Sequence, residues 1–258
     1  MAASPAAIKR REDPGAFKSL SKISRNTNEA SGLTQAKISE ICPQFRILVV
    51  GKCGSGKSSL VNSVFGITDA TVSHIEPGVA EINHEISSSG GKPQFLLHDS
   101  LGFEYCEDNT VEIVQKFLRR RSQEPLIKDR VHAIWLCISI PIANGRLIET
   151  SVEEFLKQDV QKELEQIPII VVLTKYDRLV AAERLAMKHN GQETSFELAE
   201  KRAQQRLQKE CVKPLENLAG RGILYVAAST QYDNTLNELA GTTFSEAQEC
   251  VAKAIIAG

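Results

Sequence analysis

The chain is predicted to fold as an α/β domain, with parallel strands covered by helices on both faces. Three observations lead there. From Pro43 onward, short apolar runs alternate with segments of helical periodicity, the pattern of a sheet assembled from strand–helix–strand units. Two of the runs, residues 131–140 and 168–173, are apolar almost throughout with no period-2 alternation, which suits parallel strands covered on both faces. Finally, the apolar stretch Ile47 to Val50 runs straight into a glycine-rich junction, Gly51 to Gly56, and then into a helical pattern.

Bulk properties fit one such domain with extensions. The 258 residues are 42% hydrophobic and 24% charged, with a net charge of −1, so no general attraction to nucleic acid or to an anionic membrane is expected. No apolar run reaches the length of a membrane helix. Residues 1–30 lack the continuous apolar core of a secretory signal. The six cysteines (42, 53, 106, 137, 211 and 250) are scattered, with no C-x-x-C pair. They are expected as reduced thiols in a cytoplasmic protein.

Taken in order, residues 1–42 are rich in Ser, Ala, Lys and Arg and are expected to form a disordered arm. The remainder, 43–258, is expected to be the folded domain. Strands are predicted at 45–50, 80–87, 94–98, 131–140, 168–173 and 222–228. Helices are predicted at 57–65, 110–121, 151–165, 179–188, 196–212 and 235–256, the last with a break at Gly241. Within 196–212, Phe196, Ala199, Ala203 and Leu207 recur at helical spacing as a core-facing stripe, and Pro214 should end that helix. The basic run Lys116 to Arg121 falls at a predicted helix C-terminus, where positive charge suits the helix dipole.

Several segments carry chemistry. Gly51, Gly56, Lys57 and Ser58 satisfy the phosphate-loop pattern G-x-x-x-x-G-K-[ST]. A buried strand delivers the chain, glycines let backbone N–H groups curl around phosphate oxygens, and a helix N-terminus adds its positive end. The candidate phosphate contacts are Gly51, Cys53, Gly54, Ser55, Gly56, Lys57, Ser58 and Ser59. Lys57 would face the β- and γ-phosphates, and the Ser58 hydroxyl would bind Mg²⁺. Downstream, Phe95 to Asp99 is an apolar strand ending in D-x-x-G, Asp99 to Gly102. A carboxylate there can hold a Mg²⁺-bound water, making Asp99 the second metal candidate. The Gly102 N–H can approach a γ-phosphate because glycine leaves the backbone uncovered. Lys57 and Gly102 are thus the catalytic candidates.

Ile169 to Asp177 is a buried strand ending in T-K-Y-D, and it resembles the guanine-recognition motif [NT]-K-x-D of the GTPase superfamily. The resemblance implies nucleotide contacts from Thr174, Lys175 and Asp177; the Asp177 carboxylate would accept from the N1–H and 2-amino group of guanine. Ala227-Ala228-Ser229-Thr230, after the last strand, looks like the short loop of the same superfamily that contacts guanine O6, with Ala228 and Ser229 as candidates. The loop G-K-C-G-S-G-K-S-S-L-V-N-S-V-F-G is similar to those of the septin-like branch, which includes the immunity-associated and chloroplast-translocon GTPases. The segments L-H-D-S-L-G-F-E, H-A-I-W-L-C-I-S-I-P and V-V-L-T-K-Y-D look closer still to fungal G-domain-containing proteins. Over residues 43–256 the resemblance implies a Ras-like G domain, three α/β/α layers with a mixed, mainly parallel sheet, that binds GTP and GDP with Mg²⁺.

The sequence departs from that pattern in three places. Where the second GTPase motif supplies a threonine to the metal, Val79 and Ala80 are apolar, leaving Thr71 or Ser73 as substitutes. Phe103 follows Gly102 in place of the glutamine that orients water; Glu104 is a candidate to orient the water, and Arg146 a candidate arginine finger in cis or across a dimer. Between Asp177 and Ala228 the chain is longer than a minimal Ras-like domain, with a helical insertion at about 179–207. Two function classes follow. One is a GTP hydrolase, slow without a partner, acting as a molecular switch. The other is a GTP-gated module with negligible hydrolysis that binds a protein effector or pairs with a second copy across the nucleotide face. An ATP-dependent small-molecule kinase would leave T-K-Y-D and A-A-S without a task.

Overall fold

The computed structural model describes residues 34–65, 82, 85–87, 95–99, 110–142, 147, 148, 150–157, 167–192, 194–220 and 223–257. A six-stranded sheet forms the middle layer: β1 Phe45–Gly51, β2 Glu85–Ser87, β3 Phe95–Asp99, β4 Ala133–Ser139, β5 Ile169–Thr174 and β6 Leu224–Ala228. Their order is β2-β3-β1-β4-β5-β6. Five strands are parallel, and β2 pairs antiparallel with β3 at the edge. Because the sheet is covered twice, successive residues of one strand bury into opposite cores. Ile134, Leu136 and Ile138 face one, while Ala133, Trp135 and Cys137 face the other. Both sets must be apolar, which is why these strands lack alternation.

One core is closed by α1 Gln35–Ile41, α2 Lys57–Phe65 and α8 Asp233–Ala257. The other is closed by α3 Thr110–Ser122, α4 Thr150–Lys157, α5 Tyr176–His189, α6 Phe196–Leu207 and α7 Lys213–Ala219. The longer helices bury periodic stripes: Leu60, Val61, Val64 and Phe65 from α2, or Val114, Phe117 and Leu118 from α3. The stripe expected on α6 is present, with Ala199, Ala203 and Leu207 buried and Phe196 packed against the core edge. No helix among the described residues is long and apolar enough to cross a membrane.

Three boundary expectations are corrected. The arm drawn to residue 42 is too long, because residues 35–41 form α1. Thr34 caps that helix, its hydroxyl accepting from Lys37 N–H at 3.4 Å, and Ile38 and Cys42 bury in the core. Residues 1–33 lie outside the described residues. Pro214 does not end the helical segment. Residues 208–212 form a π turn in which Lys213 N–H donates to Gln208 O, five residues back, and Pro214 sits in the first turn of α7. A proline has no N–H to leave unsatisfied in a first turn, so the chain remains helical through it. Nor does α8 break at Gly241; the helix runs unbroken through it.

At the N-terminal edge of the sheet, Arg46 gathers a polar cluster. Its guanidinium donates to Glu85 Oε1 at 2.5 Å, Asp129 Oδ1 at 3.2 Å and Lys128 O at 2.9 Å, and meets His98 Nε2 at 3.3 Å. Its backbone N–H donates to His132 Nδ1 at 2.8 Å, and His132 Nε2 lies 2.9 Å from Ile127 O. Arg121, from the last turn of α3, also reaches Glu85 Oε1 at 3.2 Å. The basic run therefore contributes to this cluster as well as to the helix terminus.

Candidate functional site

The strand order places β1 between β3 and β4, so the connection after β1 leads to the β3 side while the connection after β3 crosses β1 to reach β4. Parallel sheets open a crevice outside the C-terminal strand ends at such a point. The registers bring the candidate segments to that edge. Val49 pairs with Asp99, Gly51 with Cys137, Ser139 with Thr174, and Thr174 with Ala228.

Between β1 and α2 the chain makes the tight loop its glycines permit. Gly54 and Gly56 have φ of 70° and 93°, in the left-handed region, and Ser55 N–H donates to Lys52 O at 3.1 Å. Lys57 begins α2 and folds back over the loop, Nζ donating to Gly51 O at 2.8 Å and Lys52 O at 3.0 Å, with the side chain 8% exposed. Cys53, Gly54, Ser58 and Ser59 face outward. Ser55 is 3% exposed, and its Oγ makes no hydrogen bond among the described residues. A loop of this shape at the start of a helix directs N–H groups and partial positive charge at an anion.

T-K-Y-D is fastened to this loop. Thr174 Oγ1 donates to Ser55 O at 2.5 Å and lies 3.4 Å from Ile138 O. Lys175 lies just outside the strand at φ 63° and ψ 35°, the only non-glycine with positive φ among the described residues. That conformation is uncommon for a residue with a side chain. Here it accompanies a hydrogen bond from Nζ to Gly54 O at 2.6 Å, which lays the stem across the loop. Asp177, in the first turn of α5, accepts at Oδ1 from Ser229 Oγ at 2.8 Å. Ala228 and Ser229 are buried beside it.

The structure thus brings together the loop residues 51–59 with Thr174, Lys175, Asp177, Ala228 and Ser229. Asp99 closes β3 on the other side of β1. Gly102, Phe103, Glu104, Arg146, Thr71, Ser73, Val79 and Ala80 lie outside the described residues. Sequence reasoning missed two parts of the site. It named Thr174 as a nucleotide contact without foreseeing that its hydroxyl is a strut to the loop. It also passed over Thr235, whose buried hydroxyl meets the Ser229 backbone. Neither signal is local, since both partners are distant or backbone atoms. Among the cysteines, Cys42, Cys137, Cys211 and Cys250 are buried and Cys53 is exposed. Burial pushes the thiols of Cys42 and Cys211 up to about 12 and that of Cys250 up to about 11.

Comparison with known proteins bears on the family and the fold. The tRNA modification GTPase MnmE of Blochmanniella floridana is 25% identical over 183 residues, covering 71% of this chain and 36% of MnmE. Septin-1 of Drosophila melanogaster is 30% identical over 168 residues, covering 56% of this chain and 44% of Septin-1. It fits the septin-like branch that the motifs resemble. This chain therefore spans less than half the length of either relative. A solved structure of Era in complex with MgGDPNP and nucleotides 1506–1542 of 16S ribosomal RNA aligns at TM-score 0.50 and 18% identity. That alignment covers 79% of this chain and 56% of Era, and at that identity the likeness shows the fold alone. The family model described as "50S ribosome-binding GTPase" matches residues 46–175, half of the chain and the whole stretch from β1 through the lysine of T-K-Y-D. The chain belongs to that family of GTPases with a P-loop G domain.

Proposed function

We propose that this protein binds GTP and GDP with Mg²⁺, hydrolyses GTP slowly, and serves as a switch read by a protein effector. One observation carries the reading. The phosphate loop and T-K-Y-D are held as a single unit by the bonds from Thr174 Oγ1 to Ser55 O and from Lys175 Nζ to Gly54 O. Beside them Ser229 fixes the Asp177 carboxylate. A phosphate cradle and a carboxylate of fixed orientation on one rigid edge are what a guanine nucleotide requires at its two ends.

Within this reading, the N–H groups of residues 54–59 and the Lys57 ammonium bind the phosphates and stabilise charge that grows on their oxygens. Lys57 Nζ spends two of its three hydrogens on Gly51 O and Lys52 O, leaving one for a phosphate oxygen. Ser58, exposed in the first turn of α2, and Asp99, at the end of the adjacent strand, would hold the metal. When bound, Mg²⁺ supplies positive charge against the β- and γ-phosphates. The Gly102 N–H would approach the γ-phosphate. The Lys175 stem would lie along the base plane, and the Ala228–Ser229 turn would meet guanine O6. Phe103 has no group to orient a water, which supports slow turnover. Together with apolar Val79 and Ala80 it also favours the second reading, a GTP-gated module that pairs with a second copy or an effector without hydrolysis.

Asp177→Asn tests the step from nucleotide to guanine. An asparagine amide offers one acceptor and one donor, which suits the 2-oxo group of xanthine. A lost charge-assisted bond costs about 1.5–3 kcal/mol, so GDP affinity should fall at least about tenfold while XDP binding strengthens. Titration calorimetry of wild type and variant with GDP, XDP and ADP reads this. Equal wild-type affinity for ADP and GDP, or full guanine preference in the variant, would overturn the proposal.

A further inference from the structure

We infer that Thr235 is a positioning residue for base specificity: its buried hydroxyl locks the Ser229 backbone, and Ser229 in turn orients the Asp177 carboxylate. The inference rests on the guanine-reading role proposed for Asp177. To accept from N1–H and the 2-amino group together, both carboxylate oxygens must lie in the plane of the base. A side chain free to rotate would lose much of that discrimination.

Each rotation is stopped by a specific bond. Asp177 Oδ1 accepts from Ser229 Oγ at 2.8 Å. Ser229 Oγ also accepts from Gln231 N–H at 3.0 Å, which leaves its one hydrogen to point at the carboxylate. The Ser229 backbone is clamped by a single side chain. Its N–H donates to Thr235 Oγ1 at 3.0 Å, and the Thr235 hydroxyl hydrogen is shared between Ser229 O at 3.2 Å and Tyr232 O at 2.8 Å. Ser229 and Thr235 are 1% and 2% exposed, so water cannot replace these bonds. Tyr232 holds the same loop from outside. Its ring meets Tyr176, the residue before Asp177, edge-on at 6.5 Å, and Phe196, the first residue of α6, at 6.0 Å. The α5–α6 pair thus braces the base-facing loop.

Thr235→Val keeps the shape of the side chain and removes its hydrogen-bonding capacity. Thr235→Ser keeps the hydroxyl. Calorimetry with GDP, IDP and ADP separates orientation from general damage, because IDP lacks only the 2-amino group. The wild type should favour GDP over IDP. In Thr235→Val that ratio should shrink by about tenfold, the worth of one well-made charge-assisted bond. ADP binding should remain weak, and Thr235→Ser should restore the ratio. Ser229→Ala removes the last hydroxyl of the relay without touching α8, and it should lower the ratio likewise even if Thr235→Val fails to fold. A folded Thr235→Val or a Ser229→Ala that keeps the wild-type GDP/IDP ratio overturns the inference. A wild type that does not distinguish GDP from ADP overturns the guanine reading instead.

Discussion

Gly51 has no room for a side chain. A Cβ built there would sit 2.3 Å from the carbonyl oxygen of Cys137 on β4, and its φ of 149° is one that side-chain-bearing residues rarely adopt. Gly51→Ala should therefore push β1 from β4 at the point where the loop begins. We expect a loss of about 1–3 kcal/mol, the usual cost of overpacking, read as a lower urea midpoint with an unchanged slope. An unchanged midpoint would mean that the strand ends shift freely. Gly51 was legible in the sequence because its spacing to Gly56, Lys57 and Ser58 is itself the signal. The hydroxyls of Thr174, Ser229 and Thr235 were not legible as struts. A threonine or serine can bond to ligand, side chain or backbone, and only the fold selects among them.

Among the elements, the strands were the most legible, since burial on both faces enforces continuous apolar runs that local polarity cannot mimic. Helix ends were less so. Pro214 reads as a stop because proline breaks an α-helix interior, but a π turn before it changes the pattern that proline must satisfy. Helix α1 escaped notice because one buried residue of a short helix, Ile38, makes no periodicity. The long α8 is fixed to the sheet by a bond invisible to any periodicity: Trp135 Nε1 donates to Thr243 Oγ1 at 2.8 Å, and that hydroxyl donates to Leu239 O at 2.7 Å. Both residues are fully buried. Thr243→Val should strand the indole N–H and cost about 1–3 kcal/mol, while Thr243→Ser should recover most of it. Equal urea midpoints for wild type and Thr243→Val would show that the indole finds another acceptor.

For the whole molecule, the cluster around Arg46 predicts how stability depends on pH. His132 is buried with both ring nitrogens committed, Nδ1 accepting from Arg46 N–H and Nε2 donating to Ile127 O. A second ring proton would point at the Arg46 N–H. Burial, aided by the charges of Arg46 and Arg130, pushes the imidazole down to about 4, against about 6.5 in the unfolded chain. His98, on the far side of the Arg46 guanidinium, is likewise buried and pushed down to about 4. Between those limits the unfolded chain binds more protons than the folded one. Stability is therefore full above pH 6.5 and is lost as pH falls toward 4. His132 alone should remove about 3 kcal/mol by pH 4, and about half of that by pH 5.5. Carboxylates enter later: Glu85 is opposed by its burial, but Arg46 holds it below its ordinary value, so its contribution is lost only in stronger acid. Urea unfolding of wild type and His132→Asn at pH 7, 5.5 and 4.5 reads the difference. The variant should be the less stable at pH 7, because Arg46 N–H and Ile127 O lose a well-placed partner, yet it should lose less between pH 7 and 5.5. A variant whose stability falls as steeply as the wild type over that interval would place the acid sensitivity elsewhere in the molecule.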